Sequence, residues 1–292
     1  MSRFTQLLSL RNRVLLGIVA FGVISVIYLQ LDPRDLWPSK AGWAKAIDFF
    51  AAALSPAFDY EDTPPVGTDA LLIKVAKALW QTVAFAAAAV SLAFVCGTVL
   101  GFFASAAWWE QDPVGRSNPT KRIVYNMMAP TACWSTRIFI AITRSIHELL
   151  WAVLFLCAFG LNSFTAVLAI AIPYSGVFAK VFSEIIDESP RDAAYALRSL
   201  GASSLQVFCF GLFPRAFPDI VTYGCYRFEC GMRSSAVMGF FGIPTIGYYL
   251  KPAFDESHYH EVWTYLYGLL ILIVVVDWWS GAIRRQLQRR QT

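Results

Sequence analysis

Charge is what this sequence is most short of. Of its 292 residues 15% are charged and 57% are hydrophobic, where a soluble domain carries about 25% charge. The deficit is uneven. Long stretches carry no charge and the charges gather between them, the pattern of a chain solvated by lipid. Histidine is scarce, three in all, and no Cys-x-x-Cys occurs among Cys96, Cys133, Cys157, Cys209, Cys225 and Cys230. Metal-site and disulfide-framework spacings are therefore missing, and the cysteines read as small apolar packing residues. No Gly-x-x-x-x-Gly-Lys-Ser/Thr is present, so the chain holds no P-loop. The net charge of +4 is too small to point to nucleic acid. An intramembrane enzyme would need a Ser/His, paired-Asp or His–metal set at depth. Only His147, beside Glu148, is embedded; His258 and His260 fall in a loop near Glu261. No catalytic or metal residue is assigned.

What the chain has instead is long apolar runs. A span needs about 20 apolar residues at 1.5 Å each. Candidates are residues 14–31, 75–108, 216–241 and 262–279. Two more stretches, centred on 150–159 and 164–172, meet at Gly160-Leu161-Asn162, where a tight turn would make a helical hairpin. Arg11 and Arg13 precede the first run as in a signal peptide. Tyr28, Leu29, Gln30 and Leu31 offer no small-residue cleavage site, so the run reads as a retained anchor. Residues 44–54 suit a short interfacial amphipathic helix, and residues 110–122 a polar loop. The expectation is an all-α membrane protein with about six transmembrane helices. Residues 1–74 would form an N-terminal anchor with an external loop, and residues 75–292 a five-span core.

Lys and Arg set the side. Arg3, Arg11 and Arg13 precede the first span, Arg116, Lys121 and Arg122 follow the second, and Arg284, Arg285, Arg289 and Arg290 follow the last. Both termini are then cytoplasmic, and the acidic segment 32–68 lies outside. Trp108, Trp109, Trp278 and Trp279 fit an aromatic belt at one face, and Trp37, Trp43 and Trp263 one at the other.

The segment 189–214 is the most informative. Ser189-Pro190-Arg191-Asp192 reads as a helix start, with Ser as N-cap and Pro at the first position. Gly201 ends that helix. Ser203-Ser204-Leu205-Gln206 starts a second with the same chemistry, and Pro214 stops it. Two short helices hinged at a glycine would form a rigid knob at the cytoplasmic surface.

These residues resemble the coupling loop of ABC importer permeases: Glu-Ala-Ala, three residues, Gly, nine residues, Ile-x-Leu-Pro. Here stand Tyr195-Ala196-Leu197, then Gly201-Ala202, then Gly211-Leu212-Phe213-Pro214, with the Gly-to-Pro spacing kept and Tyr195 in place of the acid. The run Tyr226-Arg227-Phe228-Glu229-Cys230-Gly231-Met232-Arg233-Ser234-Ser235-Ala236-Val237-Met238-Gly239 is similar to a segment of phosphonate-type permeases. So is Arg144-Ser145-Ile146-His147-Glu148-Leu149-Leu150-Trp151-Ala152. The family's Gly-Ala-Gly-Gly-Ile-Gly is replaced by Gly242-Ile243-Pro244-Thr245-Ile246-Gly247.

The resemblance implies a type I ABC importer permease fold with a cytoplasmic coupling-helix loop, in a bacterial inner membrane. It implies ATPase contact at Tyr195, Ala196, Leu197, Gly201, Ala202 and Pro214. It further implies two copies of an ATPase subunit holding ATP and Mg, a periplasmic or lipid-anchored binding protein, and a second permease copy. The chain itself would hold no cofactor. Phosphonate, phosphite, hypophosphite and phosphate esters all remain open as ligands. Ionisable groups at membrane depth are expensive and face a partner or a watery path. Arg144 with Glu148, and Glu229 with Arg233, are spaced i, i+4, while Arg137 and Arg227 have no obvious local partner. These six are the candidate lining of a path for an anion. As ion pairs fixing helix register they would serve equally. The alternative function is an ion-coupled secondary transporter of a small anion, a class that favours larger chains with inverted repeats.

Overall fold

The computed structural model describes residues 10–30, 37, 39–62, 69–109 and 119–288. Among them all regular structure is helical. Contacts divide the chain into two compact units, residues 1–54 and 55–292. The first holds α1 (Leu10–Tyr28) and α2 (Lys40–Ala52). α1 is apolar beyond Arg13. α2 starts where the Ser39 hydroxyl accepts from the Gly42 N–H at 3.1 Å, an N-cap.

The second unit is built around α3 (Leu71–Ala104) and α7 (Ser163–Glu188). The buried positions of α3 are mostly small: Ala78, Thr82, Ala86, Ala89, Ala93, Gly97, Gly101 and Ala104 recur every three or four residues. That single stripe lets α7 approach to backbone distance. A Cβ on Gly97 would lie 2.4 Å from the Phe178 Cβ, and one on Gly101 3.1 Å from the Ala179 carbonyl oxygen. In lipid no hydrophobic drive joins two helices, and close packing over small residues takes its place.

Between these two helices the chain runs through α4 (Ala106–Trp109), α5 (Pro119–Ser145) and α6 (Glu148–Phe159). The hairpin at 160–162 forms: Gly160 takes φ 74°, and the Asn162 side chain caps α7 by accepting from the Thr165 N–H at 2.8 Å. Its rising arm differs from expectation. Residues 130–145 and 148–159 meet at 89°. The break follows from His147, which is extended and whose Nδ1 accepts from the Leu149 N–H at 3.3 Å, starting α6 afresh. Arg144 and Glu148 therefore do not share a helix face.

After α7 come α8 (Asp192–Ser199) and α9 (Ser204–Val207), a π turn Phe208–Leu212, then α10 (Phe213–Met238). Pro214 does not stop a helix, as its sequence position suggested. The π turn lets the Phe213 N–H reach the Phe208 carbonyl, so Pro214 falls in the first turn of α10, where a missing N–H costs nothing. A 3-10 turn Gly239–Phe241, α11 (Ile246–Asp255) and α12 (Tyr259–Gln288) complete the chain. The polar loop 110–118 and the basic residues Arg3, Arg116, Arg289 and Arg290 lie outside the described residues.

By length and composition α3, α7 and α12 can each cross a membrane, and α5 with α6 makes a fourth if the bent pair counts as one span. α1 is apolar but shorter. α10 spans 26 residues yet carries Arg215, Asp219, Arg227, Glu229 and Arg233. α11, which the sequence reading did not foresee, folds back on α10. The close approach is backbone on backbone: a Cβ on Gly239 would lie 2.2 Å from the Tyr248 nitrogen, and one on Gly247 2.2 Å from the Ala236 oxygen. Buried Thr82 of α3 pins this return. Its hydroxyl accepts from the Ile246 N–H at 3.1 Å, while the Ser235 hydroxyl donates to the Thr82 carbonyl at 2.9 Å. The altered segment 242–247 is thus a fixed corner.

Residues 55–62 are tied to the start of α12. The Glu61 carboxylate accepts from the His260 and Glu261 N–H groups at 2.8 and 3.1 Å, and the Glu61 N–H donates to the Glu261 carboxylate at 2.9 Å. Burial, then the negative charge of Glu261, raises the pKa of the neighbouring Tyr60 phenol above its ordinary value.

Gly239→Ala should destabilise the protein by about 1–3 kcal/mol, because two backbones must separate to admit the methyl group. Gly22→Ala, with open space around it, should not. Thermal unfolding of the two variants in detergent checks this, and equal midpoints would contradict it.

Candidate coupling loop and intramembrane charges

The segment 189–214 folds into a knob, though not with the first cap the sequence suggested. Ser189 ends α7 instead, its hydroxyl donating to the Ile185 carbonyl at 2.8 Å. The residue before α8 is Arg191, whose side chain makes no capping bond. The reason is local: Ser189 is extended as the C-cap of α7, and Pro190 and Arg191 lie between the helices. The far end of α8 behaves as expected. Gly201 sits at φ 82°, its N–H reaching the Arg198 carbonyl at 2.9 Å and that of Ala202 the Leu197 carbonyl at 3.1 Å. This pair is a Schellman motif, which needs a left-handed residue at that place. Ser203 and Gln206 then form a capping box, the Ser203 N–H donating to Oε1 of Gln206 at 2.8 Å.

Ala194 and Leu197 hold α8 down. A Cβ on Gly211 would stand 3.3 Å from Leu197 Cδ1 and 3.4 Å from the Ala194 Cα, so α8 rests on the π turn through a bare backbone. The outward face presents Tyr195 and Leu200, 57% and 83% exposed, with the Arg198 guanidinium 5.8 Å over the Tyr195 ring. Ala196, Gly201 and Pro214 are exposed and Ala202 is half-buried.

The six intramembrane charges separate into three groups. Arg137 lies at the end of α3. Its Nε donates to the Ala104 carbonyl at 3.0 Å and its Nη2 is 3.5 Å from Asp187. Asp187 also accepts from the Ser105 hydroxyl at 2.6 Å and the Ala106 and Ala107 N–H groups at 3.1 and 2.9 Å. The partner missing from the neighbourhood of Arg137 in sequence is thus supplied by α7, and the set is a joint between α3, α5 and α7. Arg144 is exposed, and no ion pair forms between it and Glu148.

Glu229 and Arg233 do pair, one turn apart on α10. Arg233 belongs to an exposed stripe on that helix, recurring every seven residues through Asp219, Tyr226 and Arg233. A charged stripe at membrane depth is not stable against hydrocarbon, so this face meets water or protein.

Glu148 and Arg227, far apart in sequence, are brought together through α7. The Ser234 hydroxyl donates to Glu148 at 2.9 Å and lies 3.0 Å from the Tyr174 hydroxyl. The Arg227 guanidinium lies over the rings of Tyr174 and Tyr223, 5.3 and 5.6 Å from their centroids, and its Nε donates to the Tyr223 hydroxyl at 2.9 Å. Tyr174, Tyr223, Ser234 and Asp187 were absent from the sequence-derived set. Tyr223 could have been found, since it precedes Arg227 by one turn. Tyr174 and Asp187 come from another helix and carry no local signal.

Known proteins are similar to this chain in sequence and in fold. The phosphite transport system permease protein PtxC of Stutzerimonas stutzeri is 28% identical over 215 residues, 73% of this chain and 70% of its own length. The phosphate-import permease protein PhnE of Mycolicibacterium smegmatis is 26% identical over 158 residues, 54% of this chain and 30% of its own. Among solved structures, an inward-facing form of the methionine ABC transporter MetNI superposes with a TM-score of 0.59 at 18% identity, covering 74% of this chain and 97% of that one. The shared fold is that of type I ABC importer permeases. The profile of the binding-protein-dependent transport system inner membrane components matches residues 123–291, and the chain belongs to that family.

Proposed function

We propose that this chain lines a translocation path for a phosphorus oxyanion of the phosphonate or phosphite kind, and that α8 is its contact with a separate ATPase. The observation that carries the reading is the α8 knob, a short helix closed by the Gly201 turn, seated on the π turn and offering Tyr195 and Leu200 outward. Tyr195, Ala196, Leu197, Gly201, Ala202 and Pro214 form the coupling set. ATP and Mg²⁺ belong to two ATPase subunits, and an external binding protein, periplasmic or lipid-anchored, delivers the ligand. The choice of ligand class is supported by the names of the relatives and by the arginines of α5 and α10.

Two permease copies assemble, because exposed Arg144 and Arg233 need a watery or protein surface that one bundle does not enclose. The path set is Arg137, Arg144, Glu148, Arg227, Glu229 and Arg233, with Arg137 acting as a joint at its edge. Residues 1–74 serve as the N-terminal anchor with its external loop, and residues 75–292 as the core. The basic residues at both ends place both termini in the cytoplasm.

Gly201→Pro should uncouple ATP hydrolysis from import, lowering uptake per ATP about tenfold. Proline cannot take a positive φ and removes the N–H that bonds Arg198. Gly201→Ala meets open space and should cost only about 1 kcal/mol of local strain. Uptake and ATPase rates of the reconstituted complex decide it, and wild-type coupling in Gly201→Pro would count against α8 as the contact. Glu229→Gln should lower the yield of assembled complex by leaving Arg233 unpaired, and adding Arg233→Gln should restore it. The molecular mass of the purified complex should correspond to two copies of this chain; one copy would exclude the paired path.

A further inference from the structure

The cations of the larger unit sort by partner. Arg137 meets Asp187, Lys180 meets Glu184, Arg233 meets Glu229 and Arg284 meets Asp277. Arg227 is held by rings instead, as Lys74 is by Tyr60 and Tyr249. Arg227 is half-buried, and among the described residues no carboxylate lies within ion-pairing distance of it. Its Nε is taken by the Tyr223 hydroxyl, and its face lies over Tyr174 and Tyr223. The two terminal nitrogens, four N–H in all, donate to no described residue.

An aromatic ring holds a guanidinium differently from a carboxylate. The ring quadrupole offsets part of the desolvation, yet leaves the charge uncancelled. It also engages the face and leaves the edge open. That edge is the rigid fork that matches two oxygens of a carboxylate or phosphate-like group at once.

The Tyr174 ring is itself fixed. Ser234 has a single hydroxyl proton and donates it to Glu148. The 3.0 Å contact with Tyr174 is then the phenol donating to Ser234. This line of donors, Tyr174 to Ser234 to Glu148, ties α7, α10 and α6 and sets the ring beneath the guanidinium. Tyr174 is 5% exposed and Ser234 8%, so the bond between them is buried, while Glu148 at the end of the line is half-buried.

We propose that Arg227 is the charge-selecting group of the path: its free edge takes two oxygens of a tetrahedral oxyanion, and Tyr174, Tyr223 and Ser234 are the residues that position it. The proposal rests on the path reading above. The site must attract the anion and then release it.

The test uses the complete importer, with its ATPase and binding protein, in proteoliposomes. Labelled phosphite and methylphosphonate are the probes, and uptake per ATP hydrolysed is the readout. Arg227→Gln should lower that ratio about tenfold, and Arg227→Lys should fall between, keeping the charge and losing the fork. Tyr174→Phe should lower it about threefold, as loss of one neutral hydrogen bond predicts, and Tyr223→Phe by more, because its hydroxyl accepts a charge-assisted bond from Arg227. A merely structural role for the tyrosines would lower the yield of complex and leave the ratio unchanged, which would overturn their positioning role. If the wild type imports a probe and Arg227→Gln imports it at the same ratio, the inference falls while the oxyanion reading stands. If the wild type imports neither probe, both fall. Should Arg227→Gln fail to assemble, Arg227→Lys decides, and a wild-type ratio there overturns recognition by the fork.

Discussion

Everything in the larger unit hangs on the contact between α3 and α7. Two helices in lipid gain nothing by hiding apolar surface from each other, so they associate only where their shapes allow dense packing. Gly97 and Gly101 supply that shape by presenting backbone to Phe178 and Ala179. Once the two axes are this close, large side chains are pushed to the flanks. Phe94, Phe178, Phe182 and Tyr223 form an edge-to-face group there, with centroids 5.3 to 6.3 Å apart, which docks α10 on the seam. Gly176 on the far side of α7 takes in Thr143 of α5 in the same way. The position of Tyr223, and through it of Arg227, is a consequence of two glycines on a different helix.

The charges follow the same hierarchy. Where the packing is closest, cations are neutralised by carboxylates from a neighbouring element, as Asp187 does for Arg137 while also capping α4. Asp187 reaches both because α3 ends at Ala104 and Ser105 turns the chain into α4 beside it. Toward the middle of α10 the neighbours are aromatic, and the compensation becomes partial. Arg227 is held by one ring from its own helix, Tyr223, and one from α7, Tyr174, while Arg233 is paired within α10 by Glu229.

That distinction explains what could be read from the sequence. Features closed within a few residues were legible: the Gly201 turn, the Ser203–Gln206 box, the Gly160–Asn162 hairpin and the i, i+4 pair Glu229–Arg233 all form. Each depends on spacing that the chain carries with it. Features that depend on a partner helix were not. The i, i+4 reading of Arg144 and Glu148 assumed a continuous helix, and His147 breaks it by capping the next one. Ser189 had the right chemistry for an N-cap but was already committed to ending α7. Pro214 had the right chemistry for a stop, yet a five-residue π turn supplies the extra reach that keeps the helix going.

The same π turn links the proposed coupling helix α8 to the proposed path residues of α10. From Ser204 through the π turn and α10 to Phe241 the chain is helical without a loop. α8 sits on the bare Gly211 backbone of the π turn through its own backbone at Ala194 and the Leu197 side chain, so a load applied at Tyr195 or Leu200 meets the base of α10 through a close contact. Arg227 stands fourteen residues above Phe213, about 21 Å along the axis. A displacement of α8 is therefore delivered along a continuous rod to the residues that hold Arg227, two of which, Tyr223 and Ser234, ride on that rod. Tyr174 rides on α7, locked to α3 at Gly97 and Gly101. Movement of α10 relative to the α3–α7 pair would change the distance between Arg227 and one of its two rings while preserving the other. Under the proposed reading, the cage around Arg227 is then the point at which work done at α8 alters the grip on a transported anion. The stiffness that makes this possible is the same close packing that let α3 and α7 associate in lipid at all.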